Sequence, residues 1–369
     1  MHSPANSPLS ILNHTYGYDQ FRGQQAEIIN HIVSGGNAFV LMPTGSGKSL
    51  CYQIPALCRE GVGVVVSPLI ALMQDQIAAL EQVGIAAGAI NSSMSDIDVY
   101  RVKEKLENNQ LDLLYVAPER LVMPDFLDLL AEVRIGLFAI DEAHCVSQWG
   151  HDFRPDYTAL SMLADRFRNI PRVALTATAD QATRKDIIER LKLENGKVFI
   201  GGFDRPNIHY SIHERNNQKK QIFDFIQNNH PEDSGIIYCI SRKKVDDMAD
   251  WLQSKGIHAL PYHAGLPAAV RSKNQTRFLR EDKIIIVATI AFGMGIDKPD
   301  VRYVAHMNIP KSIEAYYQET GRAGRDGLPS NAFMIYGMDD AVMQRNWIED
   351  SEAPEVQKRI EHQKLNALL

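Results

Sequence analysis

Cysteine is scarce: four in 369 residues, at positions 51, 58, 145 and 239, with no Cys-x-x-Cys pair. That excludes a disulfide framework and the usual zinc spacings, and it fits a reducing compartment. No apolar run approaches the roughly 20 residues that cross a bilayer. The opening stretch MHSPANSPL has neither a charged n-region nor an apolar h-region, so it does not read as a secretory signal, and residues 1–9 are expected to be loose. Positive charge is not in excess. Lys and Arg number 39 against 45 Asp and Glu, a net charge of −6, so any nucleic-acid contact must come from a local patch. There is no low-complexity segment and no short repeat.

What remains is an ordinary globular composition, 45% hydrophobic and 23% charged, in a chain long enough for two domains. Short apolar runs alternate with amphipathic helical stretches. The runs are AFVLM (38–42), VGVVV (62–66), DLLYV (112–116), GLFAI (136–140) and RVALT (172–176), with helix patterns such as LIALMQDQIAAL and QATRKDIIERL between them. A second series follows: GIIYCI (235–240), IHALPYH (257–263), KIIIVAT (283–289) and RYVAHM (302–307). Such strands, separated by helices, indicate mostly parallel sheets covered on both faces. The turn-rich stretch GGFDRPNIHY (201–210) is the expected junction, giving two α/β domains in series with a cleft between them. The expected bounds are 10–203 and 204–338, followed by a helical segment at 339–369.

MPTGSGKSL (42–50) follows the first apolar run and precedes a helix pattern. That context makes it a phosphate-binding loop of the strand–loop–helix kind. Thr44, Gly45, Ser46 and Gly47 bring backbone N–H groups toward phosphate oxygens, Lys48 reaches the β- and γ-phosphates, and the Ser49 hydroxyl ligates Mg²⁺. The first glycine of the usual pattern is replaced by Met42. The run GLFAI ends in Asp141 and Glu142. An acidic pair alone is usually a solvated loop. At a strand end in a chain with a phosphate loop, Asp141 suits the metal and Glu142 suits the attacking water.

DEAH at 141–144 together with the phosphate loop resembles superfamily 2 helicases, and AHCVSQWGHDFRPDY (143–157) is similar to the aromatic-rich loop of the RecQ family of DNA helicases. FRGQQAEII, VVVSPLIALMQDQ, YVAPERL, ALTATA, FDRPNI, IIYCISR, YHAGL, VATIAFGMGIDKPDVR and YYQETGRAGRDG extend the resemblance over roughly residues 10 to 369. The resemblance implies two tandem RecA-like domains with an ATP site in the cleft between them. It implies ATP and Mg²⁺ as cofactors, single-stranded or forked DNA as partner, and 3′→5′ movement. It places the protein inside the cell on DNA, away from any membrane, as a monomer, without zinc in this chain.

Residue roles follow from the same resemblance. Gln25 reads adenine, with Arg22 beside it and Tyr18 stacked on the base. Arg325 is the arginine finger, Arg322 and Gln318 also face the nucleotide, and Asp297 links ATP to the second domain. Trp149 and Phe153 either stack on bases or belong to the core, and Arg154 meets a phosphate. His144 and His151 orient neighbours or bridge to ALTATA; with Cys145 they suit no common tetrahedral metal site. Arg120, Ser241 and Arg242 are further DNA contacts, while the two lysines after Arg242 fit a solvated helix start equally well.

The zinc module, winged helix and accessory domain that follow the motor in many relatives have no counterpart up to residue 369. Nothing in 339–369 resembles a duplex-splitting wedge, so weak DNA binding and poor unwinding are expected of this core. An RNA helicase, or an ATP-responsive nucleic-acid clamp with slow turnover, are the competing readings. A transporter-type ATPase is disfavoured by the lack of an LSGGQ-like signature.

Overall fold

The computed structural model describes residues 7–150, 153–202, 204–293 and 298–369. The chain divides between residues 203 and 204 into two compact units.

The first unit holds a seven-stranded sheet. Its strands are β1 Ala38–Leu41, β2 Val62–Val66, β3 Ala87–Ile90, β4 Leu113–Val116, β5 Ile135–Ile140, β6 Arg172–Thr176 and β7 Lys197–Ile200. Their order across the sheet is β3-β4-β2-β5-β6-β1-β7, and every pairing is parallel. Side chains alternate between the two faces. Val64, Val66, Phe138 and Ile140 enter one apolar cluster, while Val65, Leu137, Ala139 and Val173 enter another. Helices cover both faces, so the central strands are buried throughout and read as continuous apolar runs.

The second unit holds a six-stranded parallel sheet. Its strands are β8 Ile208–Glu214, β9 Gly235–Tyr238, β10 Ala259–Tyr262, β11 Ile285–Ala288, β12 Tyr303–His306 and β13 Ser330–Tyr336, in the order β10-β11-β9-β12-β13-β8. Here too the two faces separate: Ile237, Val287 and Ala305 pack in one cluster, Ile236, Ile286 and Val304 in the other. The helices Met338–Glu349 and Glu355–Leu368 close a small cluster of Ile309, Met334, Ile348 and Leu365. The helical segment at 339–369 packs on the second unit.

Three sequence expectations shift. The helix Pro8–Tyr16 is capped by the Ser7 side chain, so residues 7–9 are ordered; residues 1–6 lie outside the described ones. The turn-rich stretch 201–210 already contains the start of β8. Strands β3, β7, β8 and β13 join those read from the sequence. Among the described residues, no helix is long and apolar enough to cross a membrane.

Candidate active site

The sheet order of the first unit assembles the site. Strand β6 lies between β5 and β1, and all three are parallel, so their C-terminal ends meet at one edge. Neighbouring strands are roughly 4.8 Å apart, which brings the loops after β1, β5 and β6 within side-chain reach. Leu41 is in register with Thr176, and Ile140 with Ala174. The phosphate loop, the acidic pair and the ALTATA segment therefore share one rim. Ligands of open parallel sheets gather at such C-terminal edges.

In the phosphate loop, Gly45 and Gly47 have φ of +79° and +75°, a left-handed region that side chains other than glycine rarely adopt. A Cβ at position 47 would also lie 2.6 Å from Gln25 Nε2. Gln25 is only 2% exposed. Its Nε2 donates to the carbonyls of Ser46 (3.0 Å) and Gly47 (3.2 Å), and its Oε1 accepts from the Arg22 amide at 2.9 Å. The amide read from sequence as the adenine reader is thus bonded to the phosphate loop in this structure. Tyr18 is 49% exposed, with the Arg22 guanidinium 5.8 Å from its ring centroid, and this open ring suits stacking. Lys48 Nζ donates to the Met42 carbonyl at 3.0 Å. Thr44 and Ser49 are half-buried, and Ser49 opens the helix Leu50–Cys58.

Asp141 continues the ladder, donating its N–H to Val66, and its Oδ1 accepts from the Glu142 amide at 2.9 Å. Burial, then the Glu142 charge, push its carboxyl up to about 7, while Lys48 and that amide pull it down. Such an enclosed acid pair wants more positive charge than Lys48 alone supplies. With the Ser49 hydroxyl beside the phosphate loop, this donor set fits a hard cation held between protein oxygens and phosphate. Glu142 sits at φ +48°, a left-handed conformation for a non-glycine residue, and such strain concentrates at functional sites. Its Oε2 lies 3.3 Å from His144 Nδ1. That same ring nitrogen is 3.0 Å from Thr176 Oγ1. The Thr176 hydroxyl donates to the Thr178 carbonyl and also accepts the Thr178 amide. The proton between His144 and Thr176 therefore belongs to Nδ1. His144 ties the acidic pair to ALTATA.

In the second unit, the loop after the helix Ile313–Thr320 carries the arginines. Arg205 donates to the carbonyls of Gly321, Ala323 and Gly324, and Asn207 Nδ2 to those of Gly324 and Leu328. Gly324 has φ +57° and lies against Asn207, where a Cβ would be 2.5 Å from Nδ2. Arg302 meets Asp326 through both carboxylate oxygens at 2.7 Å. The loop is thus clamped from FDRPNI on one side and from Arg302, just before β12, on the other. Arg325 and Gln318 are half-buried, whereas Arg322 is only 4% exposed. A Cβ at Gly293 would lie 3.1 Å from Arg322 Nη2. The Tyr238 hydroxyl, donating to Phe292 at 2.7 Å, is pushed up to about 12 by burial, with Arg322 pulling it back. Arg322 lies inside the unit; Arg325 is the more open of the two.

Comparison with known proteins matches the DEAD/DEAH box helicase family over residues 22–187 and the helicase conserved C-terminal domain over 217–327. Over 361 residues the chain is 49% identical to the ATP-dependent DNA helicase RecQ of Haemophilus influenzae, covering 98% of this chain and 58% of that protein. Over 352 residues it is 44% identical to the RecQ helicase of Bacillus subtilis, covering 95% and 59%. The chain belongs to the RecQ family. It spans under three-fifths of the length of these relatives. Its two sheets are tandem RecA-like domains, and the fold matches the DEAD-box helicase Mss116 solved with single-stranded RNA and UDP-BeF. That match has a TM-score of 0.72 at 17% identity and covers 97% of this chain and 80% of the other.

The RecQ-type aromatic loop follows the site directly. Neither Trp149, 36% exposed, nor the half-buried Phe153 belongs to the core. Arg154 donates from Nη1 to the Pro68 carbonyl at 3.0 Å, so one end of its guanidinium is bonded within the unit. Arg120 lies on the helix Pro118–Leu121, with Nη1 3.5 Å from Met123 Sδ. Ser241 caps the helix Arg242–Ser254 by accepting the Lys244 amide, and Arg242 is exposed. His151 and Asp297 lie outside the described residues. The four cysteines are buried thiols, and no group of three His, Cys, Asp or Glu among the described residues has metal-site geometry. Sequence reasoning passed over the clamping partners Arg205, Asn207 and Arg302, and the helix that holds the aromatic loop. Signals existed: FDRPNI contains Arg205 and Asn207, VATIAFGMGIDKPDVR ends in Arg302, and QATRKDIIERL is that helix, but none of these patterns names a partner.

Proposed function

We propose that this chain is the motor core of an ATP-dependent DNA helicase, coupling ATP hydrolysis to 3′→5′ translocation on single-stranded or forked DNA. The carrying observation is the shared rim of β1, β6 and β5, where the phosphate loop faces an enclosed acid pair wired through His144 to Thr176. Lys48 and the loop amides hold the β- and γ-phosphates. Ser49 and Asp141 would hold Mg²⁺, which neutralises phosphate charge when bound. Glu142 orients and deprotonates the attacking water. Arg325, on its clamped loop, stabilises the charge of the transferring phosphoryl group, with Arg322 and Gln318 supporting it. Tyr18, Arg22 and Gln25 serve the adenine. Trp149 and Phe153 stack on bases, while Arg120, Ser241, Arg242 and Arg154 serve the phosphates.

The test is steady-state phosphate release from ATP with no nucleic acid, with oligodeoxythymidine, and with an oligouridine of equal length. The reading expects strong stimulation by the DNA. Equal stimulation by RNA would assign an RNA motor, and stimulation by neither would assign a clamp or a different cargo. Release of streptavidin from 3′- against 5′-biotinylated strands tests the direction.

A further inference from the structure

The helix Gln181–Arg190 follows ALTATA and presents Thr183, Asp186 and Arg190 on one face. All three serve the aromatic loop. Ser147, fully buried, donates its hydroxyl to Asp186 Oδ2 at 2.7 Å and accepts the Trp149 amide at 3.1 Å. Asp186 therefore fixes which way the serine lone pair points. Its other oxygen takes Arg190 Nε at 2.7 Å, so the carboxylate is itself held. Thr183, also buried, donates its hydroxyl to the Trp149 carbonyl at 3.2 Å. Its own amide is fixed by the Asp180 cap at 2.7 Å. Both backbone polar groups of Trp149 are thus held by side chains on or oriented by this helix, while its indole remains 36% exposed.

The next residue closes the loop back on the catalytic segment. A Cβ at Gly150 would lie 2.1 Å from the His144 carbonyl, so Gly150 admits no larger residue without displacing the segment that carries Glu142. Residues 142–150 therefore touch residues 176–190 at three points: His144 on Thr176, Ser147 on Asp186, and Trp149 on Thr183. Packed segments of this kind move as units.

We propose that Thr183 and Asp186 are positioning residues. They set Trp149 in register with Glu142, so that a displacement of the indole by a nucleic-acid base is transmitted to the ATP site. This rests on the reading of Trp149 as a base-stacking residue. Thr183 and Asp186 act through the loop, on the backbone of Trp149 and on Ser147.

The test uses Thr183→Val, Thr183→Ser and Asp186→Ala in the full chain, with Trp251→Phe and Trp347→Phe so that Trp149 alone emits. Without DNA, Thr183→Val and Asp186→Ala are expected to move the Trp149 emission to longer wavelength, and Thr183→Ser to leave it in place. With oligodeoxythymidine, stimulation of ATP hydrolysis should fall about tenfold in the first two, as expected for loss of a hydrogen-bonded anchor, and recover in Thr183→Ser. Unmoved emission overturns the anchoring. Unmoved stimulation in Thr183→Val and Asp186→Ala, with the parent stimulated, overturns the transmission. A parent that DNA does not stimulate rejects the proposed function instead, and the emission arm still decides the anchoring. Should Asp186→Ala fail to fold, the isosteric Thr183→Val and Thr183→Ser pair carries the test.

Discussion

His144 donates its Nδ1 proton to the Thr176 hydroxyl at 3.0 Å, and through that bond the acidic segment after β5 is joined to the end of β6. The hydroxyl also accepts the Thr178 amide, so one oxygen organises two strand ends. Thr176→Val keeps the shape and removes both partners. A buried donor left unsatisfied costs about 1–3 kcal/mol. We expect ATP turnover to fall by at least tenfold with little change in the KM for ATP, measured by phosphate release. A variant with normal turnover would mean that the bond serves folding alone.

Lys48→Ala should nearly abolish hydrolysis, because the β/γ charge loses its point countercharge. Glu142→Gln should retain ATP binding and lose turnover. The two are separated by nucleotide binding, read with a fluorescent ATP analogue beside phosphate release. Glu142→Gln at near-normal rate would remove Glu142 from the role of base.

Arg325→Ala should lower turnover far more than ATP affinity, since losing an arginine finger costs on the order of 10³–10⁵ in rate. Arg205 lends this prediction a second arm. It holds the Arg325 loop through the carbonyls of Gly321, Ala323 and Gly324, so Arg205→Ala should mimic Arg325→Ala in direction with a smaller loss. Weak ATP binding with normal turnover in Arg325→Ala would place it outside the transition-state shell.

The central strands were legible because both their faces are buried: VGVVV and RVALT coincide with β2 and β6. The edges were not. Strand β7 exposes three of its four residues and β8 exposes Tyr210 and Ile212, so neither carries a continuous apolar run. Strand β13 is different: it is buried, and its AFMIY run carried a signal as good as the others. In the site, glycine-rich loops and acidic pairs announce themselves through rare local patterns. Their supports do not. Thr176 is 32 residues from His144, Asp186 is 39 from Ser147 and Arg205 is 118 from Ala323, and all are common residue types. Only the parallel stacking of strand ends brings them together.

Asp326 follows Arg325 directly and is held by Arg302. Burial would raise its carboxyl, but the two-pronged Arg302 contact and the Leu328 amide outweigh this and hold it below the ordinary 3.8. A carboxyl depressed in the folded state contributes stability that is fully present above its unfolded value. That stability is lost as pH falls through the folded one. Asp326 is largely open to solvent, so screening limits this contribution to about 1 kcal/mol at most. Asp326→Asn should therefore melt a few degrees, roughly 2–4 °C, below the parent at pH 7, given the size of the second unit. The gap should hold between pH 8 and pH 6 and narrow below pH 4, as the parent's own carboxylate protonates. Thermal melts across that range, in fixed salt, read it directly. A gap that widens on acidification would show that the aspartate is not held ionised by Arg302, and that the loop owes its position to Arg205 and Asn207 alone.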